Sequence, residues 1–204
     1  MLQIKETGAL VAEQNFAERV KVVGLKKCLV KKRENLEVVV SDSGRVSRVK
    51  RIENFVLSPN RVASTEEDAV KGSTVFFIKS TPQIGRWGGH IKCPPTPDDK
   101  DGYVLNLRLD FTFMVQRGDR LIALFGEDRP VYDNRYIMEK VRGKMGGTIK
   151  AELLKYVKAN GYSALLGNMY DVAQDWQSKL NENVFYEYGL HIENLTFVAE
   201  KAEY

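Results

Sequence analysis

The chain has 204 residues, 43% hydrophobic and 28% charged, with a formal net charge of +4, 6 prolines and two cysteines. A chain of this length and balance buries about 70% of the surface it exposes when unfolded, which excludes a fibre or a disordered segment and leaves one or two globular domains. No run approaches the roughly 18 to 20 apolar residues of a membrane-spanning helix, and Cys28 and Cys93 stand too far apart for a CxxC, zinc-finger or disulfide framework; a reducing cytoplasmic compartment is expected.

The first residues carry Glu6, Glu13 and Glu18 without a sustained apolar centre, so they do not form a secretory signal. Val20 to Leu25 and Leu36 to Val40, joined by the basic link KKCLVKKREN, are expected to be strands of a small sheet or a floppy lead-in. Between Arg19 and Arg51 eleven Lys and Arg stand against Glu34, Glu37 and Asp42, a local charge of +8 that leaves −4 elsewhere. Val46, Val49, Ile52 and Phe55 recur at steps of three, which fits a helical turn or a bulged strand equally. Ser58-Pro59-Asn60 signals a turn, and STEEDAVKG is a polar connection ending at Gly72. TVFFIK, Thr74 to Lys79, is β-branched and aromatic on both faces, the pattern of a central strand.

PQIGRWGG, Pro82 to Gly89, is rich in turn residues and is expected to be a long hairpin connection or lid. Pro94, Pro95 and Pro97 lead into the turn DDKDG. From Tyr103 to Val115 apolar residues alternate with Asn106, Arg108, Asp110 and Thr112, which predicts a long antiparallel strand with one wet face. Arg117-Gly118-Asp119 turns the chain into a short helix, RLIALFG, before the loop EDRPVYD. Asp133 then opens a helix whose stripe, Ile137, Val141, Met145, Ile149, Leu153 and Val157, steps by four. Gly143, Gly146 and Gly147 predict a kink within it, Asn160-Gly161 its end, and YSALLGN a short link. A second amphipathic helix starts at an Asn168 cap, carries Met169, Val172, Ala173, Trp176, Leu180 and Val184 on one face, and ends at Gly189. A half-buried strand follows from Leu190 to Val198, with a bulge expected at Asn194.

The strings TVFFIKSTPQIGRWGG, GYVLNLRLDFTFMVQRGDRLIALFG and LNENVFYEYGLHIENLTF, in this order, resemble the SPFH or band 7 domain of the stomatin, prohibitin and flotillin group, and are closest to its virion-core-like branch. The resemblance covers about Gly72 to Val198, and its most specific part is the helix that runs through Tyr188-Gly189-Leu190 into a strand. It implies an α+β domain with a curved, mainly antiparallel sheet against two amphipathic helices. It also implies a non-enzymatic, homo-oligomeric scaffold, cytoplasmic or peripheral at a membrane, that needs no cofactor and no small-molecule substrate. The family's amino-terminal hydrophobic hairpin and carboxy-terminal coiled coil have no counterpart in this sequence, which leaves membrane attachment and cage assembly open. Residues 1–71 then form a basic, β-rich amino-terminal segment, either separate or part of the same fold, and 72–204 the SPFH-like domain.

The residues expected to meet an anionic surface or partner are Lys26, Lys27, Lys31, Lys32, Arg33, Arg48, Lys50 and Arg51, together with Trp87. Each basic residue near an anionic bilayer contributes about 1 kcal/mol, and the same charges can track a nucleic-acid backbone or simply face water. Residues 19 to 51 contain no aromatic ring, which argues against single-strand stacking. Trp87 is either a cap on the core or an exposed anchor. His90 and Cys93 supply two metal ligands where a structural zinc needs four, so no metal site is expected. No nucleophile has a recognisable base beside it. The alternatives left open are a structural protein of a virus or phage particle, a nucleic-acid-binding protein using the basic segment, and an enzyme with a site around Trp87 and His90.

Overall fold

The computed structural model describes residues 3–6, 15–19, 28–31, 36–42, 45–48, 54–58, 61–63, 70–71, 74–79, 81–96, 99–125 and 131–202. Its strands are β1 (Gln3–Glu6), β2 (Asn15–Arg19), β3 (Cys28–Lys31), β4 (Leu36–Asp42), β5 (Arg45–Arg48), β6 (Asn54–Ser58), β7 (Arg61–Ala63), β8 (Val70–Lys71), β9 (Thr74–Lys79), β10 (Gln83–Cys93), β11 (Tyr103–Val115), β12 (Val131–Asp133) and β13 (Leu190–Lys201). The helices are α1 (Gly118–Phe125), α2 (Asn134–Gly167) and α3 (Met169–Asn183), with a 3₁₀ turn at Phe185–Tyr188. The fold is mixed α+β, and the chain divides into two compact units that interleave in sequence: Met1–Thr81 with Val115–Ile137, and Pro82–Met114 with Met138–Tyr204. The strand Thr74–Lys79 falls in the first unit, not with the residues that follow it. The stretches Val20 to Leu25, 59–60, 64–69 and 126–130, for which strand, turn or connection is expected, lie outside the described residues.

The first unit holds two sheets, ordered β1-β3-β6-β7-β8 and β12-β2-β9-β4-β5. As its apolar run predicts, β9 is central, pairing antiparallel with β2 and with β4. Phe76 and Ile78 are fully buried, and the Phe76 ring meets Tyr132 edge-on at 6.1 Å. Of the segment left open between helix and bulged strand, Val46 lies in β5, which pairs antiparallel with β4, and Phe55 in β6, which pairs antiparallel with β3; Val49 and Ile52 lie outside the described residues. Helix α1 lies against β4 and β5.

The second unit is a three-stranded antiparallel sheet, β10-β11-β13, with α2 and α3 on one face. Tyr103 to Val115 alternates buried and accessible residues along its whole length. The turn-rich stretch from Pro82 is not a lid: it becomes β10, paired with β11 from Gln83↔Phe113 to Cys93↔Tyr103. Its glycines are a packing device. A Cβ on Gly85 would lie 2.2 Å from the Phe111 ring, and one on Gly89 would lie 2.9 Å from the Trp87 indole. Of DDKDG, residues 99–102 lie in the hairpin connection, closed by Thr96 N–H to Asp99 O at 2.9 Å and by Gly102 at φ 71°; residues 97 and 98 lie outside the described residues.

Helix α2 starts where Asp133 Oδ1 accepts the Tyr136 N–H at 2.8 Å, the expected amino-terminal cap. All six residues of its step-four stripe are fully buried. The kink expected at Gly143, Gly146 and Gly147 does not occur, because a Cβ on Gly146 would stand 3.1 Å from the Trp87 ring: that glycine admits the indole without breaking the helix. The break is at Gly161, where φ is 80°, and the expected link beyond it is helical through Gly167. Asn168 occupies the N-cap position of α3 but makes no side-chain cap bond; its Nδ2 donates back to Ala164 O at 2.9 Å. Gly189, at φ 72°, closes the 3₁₀ turn and feeds β13. The alternation changes phase where the bulge is expected: Leu190 and Ile192 are buried, Glu193 and Asn194 are both exposed, and burial resumes at Leu195, Phe197 and Ala199.

Helix α3 holds β13 by rings and by one buried amide. Trp176 packs on Phe197 with centroids 4.7 Å apart, and Phe185 meets Phe111 and Phe113 edge-on. Asn181, 4% exposed, acts as a surrogate strand: Nδ2 donates to Ile192 O at 3.0 Å, and Ile192 N–H donates to Oδ1 at 2.7 Å. The two helices are tied by Lys179, which bridges Glu152 on α2 at 2.5 Å and Asp175 at 2.6 Å; those hydrogen bonds hold its ammonium pKa above the ordinary lysine range. At the end of β13, Lys201 pairs with Asp99 and lies over the rings of Tyr103 and Tyr162, 4.5 and 4.9 Å from their centroids.

Candidate functional site

Because side chains alternate across a strand, the helix-covered face of the sheet takes Trp87, Ile91, Leu105, Leu107, Leu109, Phe197 and Ala199, and the opposite face takes the polar residues between them. On that outer face Arg86 stands across from Asp110, Gly88 from Arg108 and His90 from Asn106. Three contacts fix β13 beside β11: Ala202 N–H to Val104 O at 2.8 Å, Thr196 Oγ1 to Asp110 O at 3.3 Å and Asn194 Nδ2 to Thr112 Oγ1 at 3.3 Å. Continuing that antiparallel register puts Val198 beside Arg108 and Glu200 beside Asn106.

These side chains line an open concavity of about 380 Å³, with Gly88 in its floor and Arg86, His90, Asn106, Arg108, Val198 and Glu200 around it. Asp110 organises one end. Its Oδ1 accepts Nε of Arg86 at 2.6 Å and its Oδ2 accepts Nε of Arg108 at 3.0 Å. The hydrogen bond from Arg86, with the charge of both guanidiniums, lowers the Asp110 carboxyl pKa below the usual carboxylate value. His90 Nδ1 donates to Asn106 Oδ1 at 2.5 Å, and the residue is exposed.

Of the residues singled out from the sequence, Trp87 lies on the buried face, 8% exposed and packed against Gly89 and Gly146, which is its core-cap reading. Lys31 ends β3 and Arg48 ends β5; Lys26, Lys27, Lys32, Arg33, Lys50 and Arg51 lie outside the described residues. His90 and Cys93 are three apart on one strand and so point to opposite faces: His90 is exposed, and Cys93 is buried with its thiol pKa pushed up by desolvation. They cannot share a metal, and among the described residues no three His, Cys, Asp or Glu side chains converge on one. Sequence reasoning missed Arg86, Arg108, Asp110 and Glu200 as a group. The signal available was phase, since once Trp87 is placed inward, Arg86, Gly88 and His90 must face outward. Among the described residues no helix is long and apolar enough to cross a membrane. Comparison of the chain with protein-family models and with curated proteins gives no match.

Proposed function

We propose that the chain is a non-catalytic scaffold of the SPFH type that self-associates and meets an anionic membrane surface or partner proteins. The observation that carries this reading is the outer face of the β10-β11-β13 sheet, a row of charged and polar side chains over three strands that no helix of the second unit covers among the described residues. The order of hairpin, two helices, Tyr188-Gly189-Leu190 and closing strand supports the SPFH likeness. The polar groups that converge on this face favour binding over turnover. Asp110 is held ionised between two arginines, a poor general base, and His90 is bonded to an amide rather than to a nucleophile.

Self-association is head to tail in this reading, the +8 segment of one copy against the acidic strand of the next, where Glu193 and Glu200 are exposed. Light scattering of the full chain at low and high salt tests it. The expected result is a mass above 23.2 kDa at low salt that falls as salt rises, further reduced by Glu193→Lys with Glu200→Lys. A 23.2 kDa species at every concentration and salt refutes it. Flotation with anionic against neutral liposomes then separates a membrane surface from a protein partner.

A further inference from the structure

We infer that the concavity over Gly88 is a binding site for a phosphate monoester that also carries a hydroxyl or ammonium group. This goes beyond the scaffold reading and does not depend on it.

Gly88 is a glycine that the packing of the fold does not require. Gly85, Gly89 and Gly146 each make room for a ring, as a Cβ there would fall within 3.1 Å of Phe111 or Trp87. Gly88 does not: a Cβ would meet only Leu107 O at 3.5 Å, an ordinary contact, and its φ is not positive. In a strand interior glycine costs stability, and a β-branched residue at this spot would pair with Arg108 across the ladder. What glycine provides at position 88 is the open floor of the concavity.

The walls specify the ligand. Asp110 holds both guanidiniums through Nε, and among the described residues their terminal nitrogens carry no hydrogen bond, so two donor forks are oriented and uncommitted. The Asp110 carboxylate already occupies the position of a monoanion between them. A dianion with three acceptor oxygens can take both forks at once, and a phosphate monoester is that group. Across the floor Glu200 presents a carboxylate acceptor, while the Asn106 Oδ1 is already taken by His90. A bare dianion would be opposed by Glu200, whereas a ligand with a donor a few bonds from its phosphate satisfies both ends. The volume of about 380 Å³ suits a small molecule or a single headgroup. The arginine side chains are 70% and 58% exposed, so screening keeps the affinity modest.

Calorimetric titration of the full chain at constant ionic strength tests the site, with inorganic phosphate and aminoethyl phosphate as soluble probes and phosphatidylinositol 4-phosphate, phosphatidic acid and phosphatidylcholine vesicles as lipid ones, of which the first carries a monoester beside hydroxyls and the last, a diester, is the control. Aminoethyl phosphate is expected to bind at least about tenfold more tightly than inorganic phosphate, and Arg108→Gln to weaken both by at least about tenfold. Glu200→Gln removes the preference for the amine without weakening inorganic phosphate. Gly88→Val fills the floor and abolishes binding while leaving the thermal midpoint within a few degrees of wild type. Vesicle binding that is lost in Gly88→Val assigns the phosphate to a lipid headgroup; saturable binding of the soluble probe alone assigns it to a free solute. No saturable binding of any probe, or binding that survives both Gly88→Val and Arg108→Gln, overturns the inference.

Discussion

Asn181 is the most exacting test of how the carboxy-terminal strand is held. Its amide makes two bonds to Ile192, at 3.0 and 2.7 Å, in a position 4% exposed. Asn181→Leu keeps the volume and strands a backbone N–H and a C=O, each of which costs about 1–3 kcal/mol when buried unpaired. Gln177 Nε2 also reaches Ile192 O, at 3.4 Å, so the carbonyl keeps a weak donor. The net loss expected is about 2–4 kcal/mol, a large share of a domain's stability. Asn181→Asp separates the two bonds. The carboxylate still accepts the Ile192 N–H but sets a second oxygen against Ile192 O, so the variant is destabilised at pH 7. That repulsion raises the folded-state pKa of the new carboxyl above its unfolded value of about 3.9, and stability is therefore regained as pH falls through the raised value. Urea unfolding followed by the fluorescence of Trp176, which packs on β13, reads both effects. A loss below about 0.5 kcal/mol for Asn181→Leu, or no acid rescue of Asn181→Asp, refutes the surrogate-strand account.

Three further outcomes follow from the same geometry. Gly85→Ala brings a Cβ to 2.2 Å from Phe111 and should cost about 1–3 kcal/mol or more, whereas Gly147→Ala, in a helix with nothing within 4 Å, should gain up to about 1 kcal/mol; paired urea titrations decide. Cys93 is buried with a raised thiol pKa, so in a Cys28→Ser background it should react with a disulfide reagent at the rate of global unfolding and not before. The Asp110 carboxyl is lowered in the fold, so its contribution is present above its unfolded pKa of about 3.9 and lost as pH falls through the folded value. The stability difference between wild type and Asp110→Asn should accordingly be largest near neutral pH and vanish in strong acid, as measured by thermal melts across that range.

The parts of the fold legible in the sequence are those where one residue's chemistry decides its neighbours. Tyr103 to Val115 could be read because side chains alternate faces whatever packs on them; Asp133 and Gly189 could be read because a cap and a left-handed residue are local requirements. β10 could not, because its glycines are dictated by Phe111 on the next strand and by the neighbouring Trp87, neither of which is a local signal. The same holds for Gly146, which looks like a helix breaker until the indole beside it is known. The outer-face cluster was hidden for a related reason: Arg86 and Asp110 are 24 residues apart and meet only through strand register.

In the second unit the three-stranded sheet has one face under helices and, among the described residues, the other open. The most direct measurement is the maleimide labelling rate of single cysteines placed one at a time from Asn194 to Glu200 in a background without Cys28 and Cys93, in dilute protein. Fast labelling at 194, 196, 198 and 200, with slow labelling at 195, 197 and 199, is the predicted result. Uniform rates along the strand, or protection at the even positions in the dilute chain, would contradict it.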